Sequence, residues 1–253
     1  MLEKNANPEK AEIYQRFFKT GKGEYGEGDI FLGLTVPQTR QIAKQFSHLT
    51  FDEIKKHLSS RYHEERLTAL LILVNNYQKT KSEKNFEKIR KQSNFSKFSK
   101  RSLKEKNKEG GYSNFSEEIM KFYLKNTKYI NNWDLVDLTA DKILGNYLFD
   151  KDKLTLYKLA KSDNLWERRI SIISTFYFIK NNQFEDALKM SKILLSDKHD
   201  LIHKAVGWML REIGKRNRKV LENFLKQNYK NIPRTTLRYA IEKFPENLRQ
   251  KYL

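Results

Sequence analysis

No proline falls between residues 38 and 232 of this chain; the four prolines are Pro8, Pro37, Pro233 and Pro245. So long a proline-free stretch, rich in Leu, Lys, Glu and Ile, suits helices joined by short polar turns, because proline interrupts helices and marks turns. Glycine is scarce too, and five of the ten glycines crowd into positions 21–33. Alternation with a period of two, the mark of a half-buried strand, is sustained nowhere. An all-α fold follows. Helices are predicted at 8–19, 37–46, 51–59, 62–78, 116–127, 132–148, 151–161, 164–180, 183–195, 199–214, 217–228, 233–243 and 246–252. Their start signals include Asn7 before Pro8, Ser162-Asp163 before the Trp166 helix, Asp197 before the His199 helix, and Pro37 and Pro233 in first turns.

The second half repeats itself. A short polar stretch leads into a helix that opens with Trp, acidic and basic residues and continues with small apolar ones. Examples are NNWDLVDLTADKIL (131–144), DNLWERRISIIST (163–175), HDLIHKAVGWMLRE (199–212) and, more loosely, IPRTTLRYAIEKF (232–244), with YHEERLTALLILV (62–74) upstream. Each follows another amphipathic helix, in pairs of about 33 to 42 residues. That is the period of HEAT-like pairs, which stack because one pair cannot bury its own apolar face. The expectation is one HEAT-like solenoid domain, 1–253, with a basic concave face; an irregular helical bundle is the alternative. One stretch departs from the pattern. Residues 79–109 hold twelve Lys/Arg and four Glu, a net of +8, and the basic insertion at 79–112 reads as a loop or as an arm touching phosphates, with Phe95 and Phe98 as anchors.

Fifty Lys+Arg against 31 Asp+Glu give a formal charge of +19, while 16 Phe, 13 Tyr and 3 Trp argue for a folded core rather than disorder. Such an excess favours polyanions, nucleic acid first and an anionic membrane second. The absence of Cys excludes disulfides, thiolate metal sites and a cysteine nucleophile. The longest apolar run, Leu70–Val74, is far too short to span a membrane, and MLEKNANPEKAE has no apolar core of a signal peptide. A cytoplasmic protein is expected.

A second +8 lies in residues 204–243, with eleven Lys/Arg and three Glu. Lys204, Trp208, Arg211 and Lys215 fall at i, i+4, i+7 and i+11, along one helix face. Arg169 and Arg66 occupy comparable places on earlier helices, and stacked helices would turn such residues into a ladder for duplex backbone or leave them on a solvated outer face. Trp133 lies four residues before Asp137, and Trp208 three before Arg211, so each aromatic shares a face with a charge. An aromatic beside a carboxylate stabilises carbocation-like species, although a Trp in a helical repeat serves more often in a core. His199 and His203 have a metal-binding spacing, but HExxH is absent and no third ligand stands out. The glycines of GKGEYGEGDIFLG (21–33) form neither a Walker loop nor a dinucleotide fingerprint and read as a flexible connector. No metal and no cofactor are expected.

Taken in order, NPEKAE (7–12), FLGLTVPQTR (31–40), NNWDLVD (131–137), LWERR (165–169), KAVGWMLRE (204–212) and PRTTLRYAIEKFPE (233–246) resemble the AlkD-type DNA alkylation repair glycosylases over nearly the whole chain except the insertion. The resemblance implies a HEAT-like α-solenoid that holds duplex DNA and excises cationic N3- or N7-alkylated purines, such as 3-methyladenine and 7-methylguanine, without needing to flip the base. It further implies Asp137 as the catalytic carboxylate, Trp133 and Trp208 as aromatics flanking the lesion, and Arg169 and Arg211 as holders of the DNA backbone. With Lys204 and Lys215 these complete the expected site of a monofunctional enzyme, and the resemblance leans towards a monomer. Phe17 stands where members of the family can have Tyr, and the connector at 21–30 is lengthened. A catalytically inactive HEAT-like DNA-binding protein and a HEAT-type scaffold for acidic partners are the alternatives.

Overall fold

A computed structural model describes residues 1–80 and 113–252. Among these the secondary structure is helical, apart from an isolated bridge between Ile30 and Tyr62, so the all-α expectation holds. Of the basic insertion only Lys79 and Thr80, the end of a helix, are described; the arm reading and the anchors Phe95 and Phe98 lie outside the described residues. No helix among the described residues is long and apolar enough to cross a membrane. The residues gather into two compact units, Met1–Leu135 and Val136–Leu253.

The first unit contains α1 (Pro8–Phe17), α2 (Val36–Gln45), α3 (Phe51–Leu58), α4 (His63–Thr80) and α5 (Ser113–Lys125). Asn7 caps α1 by accepting the Lys10 amide, and Thr50 with Glu53 forms a capping box on α3. Helix α4 packs against α2, α3 and α5 and is buried nearly all round, from Leu67 through Val74 to Tyr77. A helix surrounded in this way needs no single apolar stripe, because every side has a neighbour to bury against.

The second unit begins within α6 (Trp133–Asp137), where the chain crosses from one unit to the next. It continues through a π-helical turn (Asp141–Gly145), α7 (Asn146–Leu148), α8 (Leu154–Leu159), α9 (Leu165–Lys180), α10 (Glu185–Leu194), α11 (Asp200–Arg216), α12 (Arg218–Asn228), α13 (Arg234–Ala240) and α14 (Glu246–Arg249). Helix α9 is the centre, packed on the π turn, α8, α10 and α11, while α11 packs on α12 and α13. Ile170, Ile172 and Ile173 of α9 are fully buried, each such side chain contributing about 1.5–3 kcal/mol relative to exposure.

Two local expectations change. The single helix predicted at 132–148 is interrupted at 138–139 and widened into the π turn. The reason is close packing: a Cβ at Gly145 would lie 2.2 Å from the Ser174 carbonyl, so glycine lets this segment press directly on α9. Pro233 sits one residue earlier than expected, as the residue before α13 rather than inside its first turn.

Candidate functional site

In the first unit, Trp133 at the start of α6 rests on an aromatic stack. Its indole lies 5.1 Å from the Phe18 ring at 12°, Phe18 lies 4.8 Å from Phe31, and Phe31 lies 4.5 Å from the imidazole of His63. Phe17, one of the most exposed large apolar side chains, meets the same indole edge-on at 5.9 Å.

The glycine-rich connector leads into this stack, and its second half is pinned rather than free. The Glu64 carboxylate accepts the amides of Leu32, Gly33 and Leu34. The His63 amide donates to the Ile30 carbonyl, and the Asn7 amide donates to the Leu32 carbonyl. Gly33 has φ +84°, and a Cβ there would lie 2.1 Å from the Asn7 carbonyl, so this approach to α1 needs glycine.

Buried beneath the stack is a charged cluster absent from the sequence-based site. His63 Nδ1 lies 3.1 Å from Asp29 and Nε2 lies 2.8 Å from Asp134. Arg66 Nη2 lies 2.6 Å from the other Asp29 oxygen, and Asn132 donates to Asp29 at 3.2 Å. Burial opposes the charged imidazole, but the Asp134 charge and the hydrogen bonds to Asp134 and Asp29 outweigh it and raise the His63 pKa to about 9. Burial likewise opposes the Asp29 carboxylate, yet His63, Arg66 and Asn132 bring it below its ordinary range. Arg66, expected either on a DNA-facing ladder or on a solvated outer face, is instead 4% exposed and committed to this cluster.

In the second unit, Asp137 at the end of α6 meets Arg169 on α9. Arg169 Nε donates to Oδ1 at 2.9 Å and Nη2 to Oδ2 at 2.8 Å, and Nη1 donates to the Leu201 carbonyl. The Asp137 side chain is 15% exposed and that of Arg169 is 6%. A guanidinium fork fixes the plane of a carboxylate as a single point charge does not. Arg169, expected to hold DNA backbone, is instead buried, and its donors go to Asp137 and a helix-start carbonyl. In the same unit, Lys180 at the end of α9 bonds Asp141 at 2.7 Å and lies 4.7 Å over the Phe176 ring.

Trp208 on α11 is half-buried and lies 5.6 Å from Phe176. The basic residues around it have carboxylate partners on the protein. Lys204 pairs with Asp200 at 2.7 Å, Lys215 with Glu212 at 2.6 Å, and Arg211 with Glu242 of the segment after α13. Hydrogen bonding from Lys243, aided by Arg211, holds the Glu242 carboxyl below its ordinary range. His199 caps α11 by accepting the Leu201 amide, while His203 Nε2 bonds the Asp197 carbonyl, so the two perform local helix-start roles.

Arg169 was legible as a basic residue, but its pairing with Asp137 joins positions 32 residues apart. Asp29, His63 and Asp134 gave less signal still, being spread over separate motifs, with the Asp134 bond spanning 71 residues. His63 and Arg66 do lie at i, i+3 on the 62–74 helix, but that helix read as one more repeat opening with charged residues.

A comparison with curated proteins finds no match. Among solved structures, one described as a predicted DNA alkylation repair enzyme from Enterococcus faecalis aligns with a TM-score of 0.62 at 17% identity, covering 95% of this chain and 97% of that one. A second, smu.31 from Streptococcus mutans UA159, aligns with a TM-score of 0.50 at 17% identity over 97% and 100% of the two chains. These likenesses concern the fold, an all-α helical-repeat architecture. The family model described as DNA alkylation repair enzyme matches residues 1–244, and the chain belongs to that family.

Proposed function

We propose that this protein is a monofunctional DNA glycosylase that hydrolyses the N-glycosidic bond of cationic alkylated purines, such as 3-methyladenine and 7-methylguanine, in duplex DNA. Family membership supports a role in repairing alkylated DNA. The observation that carries the finer reading is the Asp137 carboxylate, held in one plane by Arg169 at the end of α6.

The chemistry asks little of the protein beyond orientation and electrostatics. In an N3- or N7-alkylated purine the base is already cationic, so the bonding pair leaves C1′ with the base and neutralises it; no acid is needed. Positive charge then develops on the sugar. A fixed carboxylate stabilises that charge, orients a water toward C1′ and accepts its proton as the new C–O bond forms. The products are a free neutral base and an abasic site. Trp133 in the first unit and Trp208 in the second are each assigned a cation–π role toward a cationic base or sugar. Arg169 is thereby assigned to hold Asp137 rather than a phosphate.

Lys204, Arg211 and Lys215 bind the DNA backbone in this reading, exchanging their intramolecular carboxylates for phosphates. The exposed Lys204–Asp200 pair contributes about 0–1 kcal/mol, so little stability is given up there; Glu212, 9% exposed, keeps Arg216 as a partner when Lys215 turns to phosphate. Charge compensation by Arg169 is the one observation that favours the second reading, a catalytically inactive protein that recognises damaged or branched duplex, because it weakens the field of the anion.

Release of free 7-methylguanine from methylated duplex, by wild type and Asp137→Asn, tests the assignment. Release by wild type, with a large loss in Asp137→Asn and retained duplex affinity, is expected. No release by folded wild type that still binds duplex moves the assignment to the second reading.

A further inference from the structure

The geometry points to His63 as a positioning residue for Trp133: by bridging Asp29 of the connector and Asp134 of α6, it fixes the ring stack on which the indole rests. Its bearing on catalysis rests on the role proposed for Trp133 at the lesion, whereas the device itself belongs to the packing of this unit alone.

Two routes join His63 to the indole. One is the stack His63–Phe31–Phe18–Trp133, whose successive interplanar angles are 23°, 23° and 12°. The other is polar. Asp29 Oδ2 lies within bonding distance of both His63 and Asn132, and the Asn132 side-chain oxygen accepts the Trp133 amide at 2.8 Å. Asp134, the residue after Trp133, takes the second imidazole nitrogen directly. The indole is therefore held through its ring, through its own amide and through its neighbour.

The arrangement requires a particular protonation state. Both ring nitrogens face carboxylate oxygens, and only the imidazolium has two N–H donors. A neutral ring would set a lone pair against one carboxylate. Charge counting agrees: Asp29 and Asp134 are balanced by Arg66 and an imidazolium, whereas a neutral His63 leaves one buried negative charge uncompensated. The remaining faces of the imidazole meet Phe18 and Phe31, and the adjoining Glu64 is occupied by three connector amides. The raised pKa of His63, about 9, is the electrostatic counterpart of this geometry.

Asp134→Asn provides a discriminating control. An asparagine amide can donate to a neutral Nε2 while Nδ1–H donates to Asp29, which satisfies every group without the imidazolium. The test labels the full-length protein with 5-fluorotryptophan and follows the Trp133 resonance by fluorine NMR, assigned with Trp133→Phe. In wild type the resonance should titrate with a midpoint near pH 9. His63→Gln should move it and abolish the titration. Asp134→Asn should keep its neutral-pH position and lower the midpoint. Single-turnover release of 7-methylguanine should fall about tenfold or more in His63→Gln, with duplex affinity unchanged, as for a misplaced binding group.

A Trp133 resonance indifferent to His63→Gln in a protein with wild-type circular dichroism overturns the inference. If His63→Gln does not fold, an unchanged titration in Asp134→Asn overturns it instead. A wild type that releases no base while its Trp133 resonance still titrates through His63 supports the positioning role and overturns the glycosylase reading.

Discussion

Arg169 holds both oxygens of Asp137, at 2.9 and 2.8 Å, from a helix 32 residues further along the chain. The pair is nearly enclosed, so removing Arg169 takes the guanidinium fork from a mostly buried carboxylate. Arg169→Ala should cost about 3 kcal/mol of stability, in line with breaking a largely buried ion pair from one side. Arg169→Lys keeps the charge but not the fork, and should lose excision activity more severely than stability. Urea denaturation read beside single-turnover base release separates the two effects. Equal activity in Arg169→Lys and wild type would show that the plane of the carboxylate is immaterial.

Stability should depend on pH through His63, and in a direction opposite to most buried carboxylates. Its folded pKa, about 9, lies above the ordinary 6.5. The stabilisation is therefore complete below about pH 6.5 and is lost as the pH rises through about 9, for a contribution on the order of 3 kcal/mol. Asp29, whose pKa is lowered, acts the other way: its contribution is present above the ordinary carboxylate range and is lost on acidification. Urea midpoints measured from pH 6 to 10 should decline in wild type and lie much flatter in His63→Gln.

Gly145 sets how closely the π turn approaches α9. An added Cβ would meet the Ser174 carbonyl at 2.2 Å and the Tyr177 Cβ at 3.0 Å, and backbone cannot yield as a side-chain tip can. Gly145→Ala should therefore destabilise the protein by about 2 kcal/mol or more, despite alanine's better helix propensity. Because α9 carries Arg169, the same substitution should reduce base release. A thermal midpoint equal to wild type would show that α9 shifts freely.

The difference between these long-range restraints and local signals explains how much of the molecule was legible in the sequence. Proline and glycine placement and the repeated W–acid–base texture located nearly every helix, because such signals are local. That Trp133 and Asp137 share one short helix was legible for the same reason, as both lie within five residues. Long-range pairing was not. Arg169 and Arg66 read as members of a basic ladder or of a solvated face because a sequence displays charge without burial. The connector at 21–33 looked loose because its restraints come from Glu64 and Asn7, outside it. The π turn was hidden because it arises from packing against Ser174 rather than from any unusual residue other than Gly145.

Glu242 offers the sharpest test of the basic residues on α11. Its carboxylate occupies Arg211, so in the proposed complex phosphate must displace it. Glu242→Gln removes both the competitor and one negative charge, and should tighten duplex binding. Alanine at Arg211 should do the reverse, weakening binding to all sequences alike. Removing one phosphate-binding side chain should make the slope of log K against log salt shallower by about 0.9. Replacing Lys204, Arg211 and Lys215 together should change it by about three times that amount if all three reach phosphates. Fluorescence anisotropy over a salt series measures both quantities. Weaker binding by Glu242→Gln, or an unchanged slope in the triple variant, would show that the DNA backbone does not lie on this face of α11.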